Sequence, residues 1–306
     1  MEALSCLLVD LGGTSCRVGL SDGTGLWPET ARSFANADFA SLSHLLTAYL
    51  DTQRPGPVTA LCAGVAGPVR NGTAQLTNHA WHIEADALAR ATGADHVQLM
   101  NDLQAQAYAL DDLDADSVTP LIPGRSDPKG PRLVLGLGTG CNIAVAHRVD
   151  DGLFVPPSES GHTTLPDAPG FRALYDALRG DAAHLPIEAA LSGPGLTRLH
   201  TFYTGETLTP TEIIAREPRK TLQAFVSLLG LAASNLCLSH MATGGLYLIG
   251  GTARAIAPYI KPLGFADTFH PRGPYTDILA AIPVTLISDD NAALRGCARY
   301  LSQCLK

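Results

Sequence analysis

The strongest constraint on the fold is a pattern that occurs twice: an apolar strand, a glycine-containing turn and a second apolar strand. In the first copy, the run Cys6–Val9 stops at the first turn (Asp10–Thr14), and a new run begins at Cys16. In the second copy, the second turn (Gly138–Gly140) separates two further apolar runs. Two such units, each near the start of its domain, predict two halves that are built alike and face a common cleft.

The first turn has the chemistry of an anion site. Glycine permits positive φ and lets an anion approach backbone N–H groups that a side chain would block. Asp10 beside such an anion is electrostatically favourable only if a divalent cation lies between them. Mg²⁺ is bound in this way, through one or two carboxylates, waters and phosphate oxygens. The alternative is an ordinary Gly-Gly hairpin turn without a ligand.

Strand-length apolar runs alternate with helical patterns in the first third of the chain, which predicts an α/β domain with much of its sheet parallel. A boundary near the acidic link Asp111–Asp116 gives a small α/β domain of 1–112 with 289–306, and a large α+β domain of 113–288. The predicted strands are Leu4–Val9, Cys16–Leu20, Val58–Val65, His96–Met100, Arg132–Leu137, Cys141–Val149, Tyr247–Ile249 and Val284–Ser288. The predicted helices are Ser41–Leu50, Glu84–Thr92, Leu103–Leu110, Lys220–Met241 and a C-terminal helix that packs on the first domain.

Composition argues against several classes of function. The 306 residues carry a net charge of −8 and no Lys/Arg cluster, which argues against nucleic acid and anionic membranes as partners. Seven scattered cysteines without a C-x-x-C pair argue against a structural zinc site and a disulfide framework. The longest apolar stretch, Ala224–Met241, contains polar residues and is expected to be a buried helix instead of a membrane span. Because a strand is predicted from Leu4, no signal peptide is expected, and the expected compartment is the cytoplasm.

The pair Asn101-Asp102 lies where a predicted strand passes into a predicted helix. Residues at the carboxyl ends of strands line the ligand crevice of open α/β sheets, and a helix N-terminus favours an ionised carboxylate. Asp102 is therefore a candidate general base toward a substrate hydroxyl, with Asn101 as an orienting partner. The alternative is that Asp102 only caps the helix.

Three further residues are candidates for binding hydroxyl groups. Glu159 and His162 flank a glycine in a loop rich in Pro, Ser and Thr, and their acceptor and donor groups suit a polyhydroxylated ligand. Zinc is not expected there, because H-x-x-E metal pairs usually lie on helices and this segment is predicted to be non-helical. Glu188 lies at a helix start or in the turn before it. The alternatives are a solvated loop for the first pair and an exposed helical residue for Glu188.

Familiar single-motif phosphate sites do not occur in the sequence. There is no G-x-x-x-x-G-K-[ST] phosphate-binding loop. The G-x-S-x-G motif that carries the nucleophilic serine of hydrolases is absent as well. The glycines at 136, 138 and 140 precede a strand and not a helix, unlike a dinucleotide-binding fingerprint. An ATP site in this chain would therefore be built from two hairpin turns.

Taken together, these segments resemble the bacterial glucokinases of the hexokinase–actin–Hsp70 superfamily, in the branch that lacks the zinc motif of the repressor-related sugar kinases. The resemblance runs nearly end to end, and the order of many short motifs makes it specific. The motifs are D-x-G-G-T (Asp10–Thr14) with Arg17, A-G-P (Ala66, Gly67, Pro68), T-N-x-x-W (Thr77, Asn78, Trp81), N-D (Asn101, Asp102), G-T-G (Gly138–Gly140), E-x-G-H (Glu159, Gly161, His162), E-x-x-L-S-G-P-G-L (Glu188–Leu196), G-G (Gly250, Gly251) and D-N (Asp290, Asn291).

The resemblance implies a two-domain actin-like ATPase (ribonuclease H-like) fold, with a ligand cleft between a small and a large domain that close over the sugar. It implies ATP-dependent phosphorylation of the 6-hydroxyl of glucose, with Asp102 as general base and the segment around Gly250 near the nucleoside. Mg²⁺ would bridge the phosphates toward Asp10 or Asp102 through water, and a homodimer is the implied assembly. The implied sugar-binding residues are Asn101, Asp102, Glu159, His162 and Glu188, and the implied phosphate-binding residues are Asp10, Leu11, Gly12, Gly13, Thr14, Gly138, Thr139 and Gly140.

The sequence departs from the family pattern at Val9, at Ser15, at Cys141-Asn142 after the second turn, and at Ser160 in the predicted sugar loop. It leaves open a kinase of another aldohexose such as mannose or glucosamine, a sugar sensor without turnover, and an acyl-phosphate kinase. The intact base candidate argues against a sensor, and an anionic substrate would favour Arg or Lys among the sugar-binding residues. The phosphoryl donor, ATP or polyphosphate, also stays open.

Overall fold

The computed structural model describes residues 5–76 and 81–305. The chain forms two units, each with its own sheet and its own hydrophobic core. The first unit consists of Met1–Asp114, Val149–Pro157 and Asp289–Lys306, and the second of Ala115–Arg148 and Ser158–Ser288.

Strands and helices alternate along both units. The strands are β1 (Ser5–Leu11), β2 (Ser15–Ser21), β3 (Leu26–Ala35), β4 (Val58–Val65), β5 (Val69–Arg70), β6 (Thr73–Gln75), β7 (His82–Glu84), β8 (His96–Asn101), β9 (Val118–Ile122), β10 (Arg132–Leu137), β11 (Cys141–Val149), β12 (Gly152–Phe154), β13 (Gly245–Ile249) and β14 (Val284–Ile287). The helices are α1 (Leu42–Gln53), α2 (Ala85–Thr92), α3 (Asp102–Tyr108), α4 (Arg172–Arg179), α5 (Ile187–Ala190), α6 (Gly193–Thr204), α7 (Pro210–Arg216), α8 (Arg219–His240), α9 (Gly251–Ile260), α10 (Phe265–Phe269), α11 (Thr276–Ala281) and α12 (Ala292–Cys304).

The main sheet of the first unit has the strand order β3-β2-β1-β4-β8. β1 and β2 form an antiparallel hairpin, whereas β1, β4 and β8 are parallel. β1 and β4 are almost continuous buried apolar runs, as expected for strands that are covered on both faces. Leu11 pairs with Val65, and Val65 pairs with Asn101. The carboxyl ends of the three parallel strands therefore meet at one edge of this sheet.

The second unit repeats this arrangement. Its strands follow one another in the order β11-β10-β13-β14-β9. β10 and β11 form an antiparallel hairpin, β10, β13 and β14 are parallel, and β9 is antiparallel to β14 at the edge. A hairpin followed by two parallel strands is thus common to both sheets, and the prediction of two halves built alike is confirmed.

The buried strands were predicted closely, whereas two edge strands that contain proline, β3 and β9, were missed. β4, β10 and β11 have the predicted bounds, and α1, α2, α3 and α8 differ from their predicted ends by three residues or fewer. β3 and β9 are edge strands that contain Pro28 and Pro120 and many exposed positions. Proline is tolerated in edge strands, but it removes the pattern by which a strand is predicted.

The long helix α8 belongs to the core of the second unit. By length and composition it could cross a membrane, but 72% of its most apolar window is buried within the protein. Its buried side chains include Phe225, Leu228 and Leu229, which lie in the larger hydrophobic cluster. The core helix of a globular unit passes the same test, and the prediction of a buried helix is confirmed.

The C-terminal helix α12 packs on the first unit, as predicted. Cys297 on this helix contacts the carbonyl of Val9 in β1 at 3.7 Å. Gly296 lies so close to α3 that a Cβ would stand 1.6 Å from the carbonyl oxygen of Ala105. α12 thereby fixes α3, whose first residue is Asp102, against the sheet.

All seven cysteines are free; six are buried and Cys304 is exposed. The buried ones serve as small apolar side chains, which their positions in apolar runs predicted. Burial raises the pKa of the Cys237 thiol to about 12, so this thiol is protonated at neutral pH.

Candidate active site

The first turn joins β1 to β2 and is held closed by local hydrogen bonds. The N–H of Gly12 donates to the carbonyl of Ser15 at 2.9 Å. The side-chain amide of the buried Asn36 donates to the carbonyl of Gly12 at 2.9 Å. Within residues 5–76 and 81–305, no group accepts a hydrogen bond from the N–H of Gly13 or of Thr14. The tip of the turn therefore presents two adjacent backbone donors, as phosphate-binding turns do.

Asp10 lies at the end of β1 beside this turn. Its Oδ2 accepts a hydrogen bond from Nη1 of Arg17 at 3.3 Å, and its side chain is 15% exposed. Burial raises the pKa of Asp10, and the neighbouring Arg17 offsets only part of that rise. The negative charge of Asp10 is thus incompletely compensated, and a cation at this position would compensate it.

Asn101 and Asp102 lie at the same sheet edge, where β8 passes into α3. Asn101 is the N-cap: its Oδ1 accepts from the N–H of Leu103 at 3.0 Å, and Gln104 Oε1 accepts from the N–H of Asn101 at 3.0 Å. Asn101 is therefore the N-cap residue of α3, and the helix has a capping group besides Asp102. Oδ1 of Asp102 also accepts from the N–H of Leu103, at 2.9 Å, which orients the half-buried carboxylate at the sheet edge.

Two contacts that support this corner were not predicted. The amide of Gln104 donates to the carbonyl of Val155 at 2.8 Å, and the amide of Asn101 donates to the carbonyl of Gly67 at 3.3 Å. The spacing Asn101-x-x-Gln104 is a capping-box signal that the sequence does contain. The contact with Val155 joins residues 51 positions apart, and no local pattern encodes it.

The second turn joins β10 to β11 and closes in a similar way. The N–H of Gly138 donates to the carbonyl of Gly140 at 2.9 Å. The carbonyl of Gly138 accepts from the N–H of Gly193 at 2.8 Å and from the hydroxyl of Thr252 at 3.2 Å. In the part of the chain that the structure describes, nothing accepts from the N–H of Thr139 or of Gly140. Both turns thus present a pair of adjacent donors.

Glu188 lies in the first turn of α5, as predicted, and contacts the second turn. Its Oε2 accepts from the N–H of Cys141 at 2.8 Å. A Cβ at Gly140 would lie 2.6 Å from the same oxygen, so a glycine is required for this approach. Burial, with a smaller contribution from the charge of Glu188, raises the pKa of the Cys141 thiol to about 12.

The segment that carries Glu159 and His162 was predicted to be non-helical, and this prediction is wrong for Ser160–His162, which form a single 3₁₀ turn. The N–H of His162 donates to the carbonyl of Glu159 at 3.0 Å. Gly161 packs against β11 at a point where a Cβ would stand 1.6 Å from the carbonyl oxygen of Cys141. Gly161 is buried at this close approach, whereas Glu159 and His162 on either side of it are exposed.

A cavity of about 1080 Å³ adjoins the second turn within the second unit. It has the size of sites that bind small molecules, and most of its lining is apolar or bears hydroxyl groups. Its lining residues are Gly138, Thr139, Gly193, Pro194, Leu196, Thr197, Arg198, Thr207, Leu208, Thr209, Pro210, Thr211, Glu212, Ile214, Gly251, Thr252 and Ala255.

The candidate residues thus form two groups, one in each unit. The first turn lies with Asn101 and Asp102 at one sheet edge, and the second turn lies with Glu188, the 158–162 loop and the cavity. Thr77 and Asn78 lie outside the described residues, and Trp81 beside them is buried in the core. Over residues 5–76 and 81–305, no three His, Cys, Asp or Glu side chains are grouped to hold a metal ion.

The sequence matches one family over nearly its whole length. A family model described as Glucokinase matches residues 7–304. A glucokinase from Saccharophagus degradans is 32% identical over 316 aligned positions, which cover 97% of this chain and 98% of that relative.

Solved structures agree with this match. A glucokinase from an Antarctic psychrotroph is 29% identical and superimposes with a TM-score of 0.86, over 98% of this chain and 99% of the other. A ROK family glucokinase from Streptomyces griseus, in complex with glucose and AMPPNP, is 17% identical with a TM-score of 0.67, over 98% and 99% of the two chains. The fold is therefore the two-domain actin-like ATPase fold, as the resemblance implied.

Proposed function

The chain belongs to the glucokinase family and is an ATP-dependent glucose kinase, and we propose that Asp102 is the general base of its reaction. The placement of Asp102 carries this proposal: it follows β8 at the sheet edge that also holds the first turn. A carboxylate oriented there accepts the proton of the glucose 6-hydroxyl as that oxygen bonds to the terminal phosphorus of ATP. The bond from this phosphorus to the bridging oxygen breaks, and ADP leaves.

We propose that the polar side chains of both groups bind the sugar. Asn101 and Asp102 in the first unit, and Glu159, His162 and Glu188 in the second, would hydrogen-bond the glucose hydroxyls. Hydroxyl groups both donate and accept, and this set offers amide, carboxylate and imidazole partners for them. A site built in this way discriminates strongly, because an analogue that lacks one hydroxyl leaves a polar group unpaired.

The two turns and the cavity are the proposed ATP site. The backbone donors at the tips of the first turn (Asp10, Leu11, Gly12, Gly13 and Thr14) and of the second turn (Gly138, Thr139 and Gly140) would bind phosphate oxygens. The cavity beside the second turn would hold the nucleoside, and Gly251 of the predicted nucleoside segment lines it.

Mg²⁺ is the proposed metal cofactor, held through water by Asp10 and Asp102. Carboxylate oxygens are ligands that Mg²⁺ prefers, and the raised pKa of Asp10 marks a buried charge that a cation would compensate. When bound, Mg²⁺ neutralises the charge that develops on the phosphates during transfer.

A homodimer in the cytoplasm remains the proposed assembly and compartment, because the family resemblance implies the first and the seven free cysteines fit a reducing compartment. Sedimentation equilibrium of the purified protein decides the assembly: twice the mass of 32.0 kDa supports the dimer, and a single mass contradicts it.

Release of ADP from MgATP across a panel of sugars tests the proposed function. The panel contains glucose, mannose, glucosamine, N-acetylglucosamine, fructose and galactose, with acetate as the control acid. Polyphosphate is tested as an alternative donor by the formation of sugar phosphate, because this donor releases no ADP. Fast turnover confined to glucose is expected. A higher kcat/KM for another aldohexose would keep the mechanism and indicate that the loop of residues 159–164 sets the sugar preference. Turnover of acetate alone would contradict a sugar site.

Replacement of Asp10 by Asn is expected to lower kcat and to raise the Tm of the metal-free protein. The raised pKa means that the folded state binds the Asp10 proton more tightly than the unfolded state does. The free energy of unfolding therefore falls as pH rises from the unfolded pKa through the folded pKa, and Asp10 is destabilising above that range. Without Mg²⁺, Asp10→Asn should raise the Tm at pH 8, with a smaller gain near pH 4, while kcat falls about tenfold or more.

Thermal unfolding at both pH values, with EDTA present, measures the stability difference. Glu29→Gln, an exposed acidic residue in β3 of the same unit, serves as the control and should leave both the Tm and kcat unchanged. A lower Tm for Asp10→Asn at pH 8 would show that the ion pair with Arg17 outweighs the cost of burial.

A further inference from the structure

Asn142, the second residue of β11, makes hydrogen bonds with every polar atom of its side chain. Its Nδ2 donates to the carbonyl of Ser158 at 2.7 Å and to Oε2 of Glu159 at 2.9 Å. Its Oδ1 accepts from the N–H of Ile143 at 2.8 Å and, more weakly, from the N–H of Gly161 at 3.4 Å. Three of these four partners lie in the 158–162 loop, so one amide ties that loop to the strand that follows the second turn.

The loop cannot move closer to β11 at Gly161, and its two serines are joined to each other by hydrogen bonds. Gly161 already touches the carbonyl of Cys141, where a Cβ would not fit. The hydroxyls of Ser158 and Ser160 lie 2.8 Å apart, and Ser158 Oγ accepts from the N–H of Ser160 at 3.2 Å. The close contact at Gly161 limits how near the loop can come to β11, and the hydrogen bonds of the Asn142 amide hold the loop at that distance.

The contact with Glu159 fixes an otherwise exposed carboxylate. Glu159 is exposed, and an exposed glutamate samples many rotamers that a bound ligand would have to restrict. The amide of Asn142 binds Oε2 and thereby restricts the carboxylate, whose other oxygen can accept from a second donor. A side chain that is oriented before binding loses less conformational entropy when the ligand arrives.

We propose that Asn142 is a positioning residue for the sugar, which sets glucose affinity by orienting Glu159 and holding the 158–162 loop. This inference rests on the proposed function, in which Glu159 binds a sugar hydroxyl. Asn142 itself does not contact the sugar, and it acts through the carboxylate that it holds. Its effect therefore falls on the KM for glucose and not on the KM for ATP.

The test is a double-mutant cycle of Asn142→Ala and Glu159→Ala, because a glutamine would keep an oxygen that accepts from Asn142 and an amide that binds a hydroxyl. Each single variant is expected to raise the KM for glucose about tenfold or more, with kcat at saturating glucose and the KM for ATP changed less than about threefold. In the Glu159→Ala background, Asn142→Ala should add much less than it does alone, because the side chain that it orients is already gone. Asn235→Ala, at an exposed asparagine on α8 of the same unit, is the control and should leave all constants unchanged.

Asn142→Asp is the second variant, because it keeps the shape and the acceptor of Asn142. It can still accept from Ile143 and Gly161, but it places a second carboxylate against Glu159. A rise in the KM for glucose larger than that of Asn142→Ala is expected, with an unchanged Tm.

The two possible failures are distinguishable. If Glu159→Ala leaves the KM for glucose unchanged, Glu159 does not bind the sugar, and the proposed function of that residue fails together with the inference. If Glu159→Ala raises this KM but the effects of the two substitutions multiply, Asn142 acts independently of Glu159 and the inference alone is overturned.

Discussion

Asp102→Asn is expected to lower kcat by about 10²- to 10⁴-fold, the usual contribution of a general base. The substitution keeps the side-chain oxygen that accepts from the N–H of Leu103, and Asn101 still caps α3. The helix should therefore start at the same residue and the fold should be retained. Because an amide binds a hydroxyl but does not accept its proton, the KM for glucose should change much less than kcat.

Steady-state kinetics with glucose and MgATP, together with glucose binding by calorimetry, separates the two effects. The matched control is Asp86→Asn, since Asp86 also lies in the first turn of a helix of the first unit and is exposed. It should leave kcat unchanged. Retention of most of the activity in Asp102→Asn would show that another group takes the proton.

The sequence predicted the fold well where burial imposes a regular pattern. β4 and β10 are runs of buried apolar residues, and their bounds follow directly from that pattern. The duplicated hairpin was visible because both copies have glycines at the point where the chain reverses. β3 and β9 were missed because an edge strand has one free side, tolerates proline and needs no continuous apolar run.

The sequence predicted which residues form the candidate site, but it did not predict the contacts between them. The positions of Asp102 after β8 and of Glu188 in α5 follow from strand and helix ends, which local patterns reveal. The contact of Glu188 with the N–H of Cys141 joins positions 47 residues apart, and that of Asn142 with Glu159 spans 17. Such pairs are set by packing of separate elements, and a single sequence carries no local signal for them.

The departure at Cys141-Asn142 shows how this limits sequence-based interpretation. From the sequence alone, these two residues are expected to affect the nucleotide-binding loop, because they directly follow the second turn. In the structure, the side chain of Asn142 turns to the 158–162 loop, and the N–H of Cys141 donates to Glu188. A residue that adjoins one motif in the sequence can therefore serve another in the fold.

Gly161→Ala is expected to lower kcat/KM for glucose by about 100-fold or more while the Tm falls only slightly. A Cβ at this position would stand 1.6 Å from the carbonyl oxygen of Cys141 and 2.6 Å from its carbon. Overpacking in a closed core typically costs about 1–3 kcal/mol, because nothing can move away. The 158–162 loop is partly exposed, so it can relieve the clash by moving off β11. The substitution then disturbs the candidate site more than the stability of the fold. Glu159 loses the hydrogen bond from the amide of Asn142, and His162 shifts with the loop.

Three measurements on Gly161→Ala distinguish a displaced loop from an unfolded unit: thermal unfolding, the Kd of an ATP analogue, and kcat/KM for glucose. A displaced loop predicts a nearly unchanged Tm and nucleotide affinity, because the cavity beside the second turn includes no residue of the loop. Gly25→Ala is the matched control, since Gly25 has open space around the position of a Cβ and should tolerate the change. A loss of nucleotide affinity as large as the loss in kcat/KM would show that the loop supports the whole unit. Full activity would show that the loop does not position the sugar-binding residues.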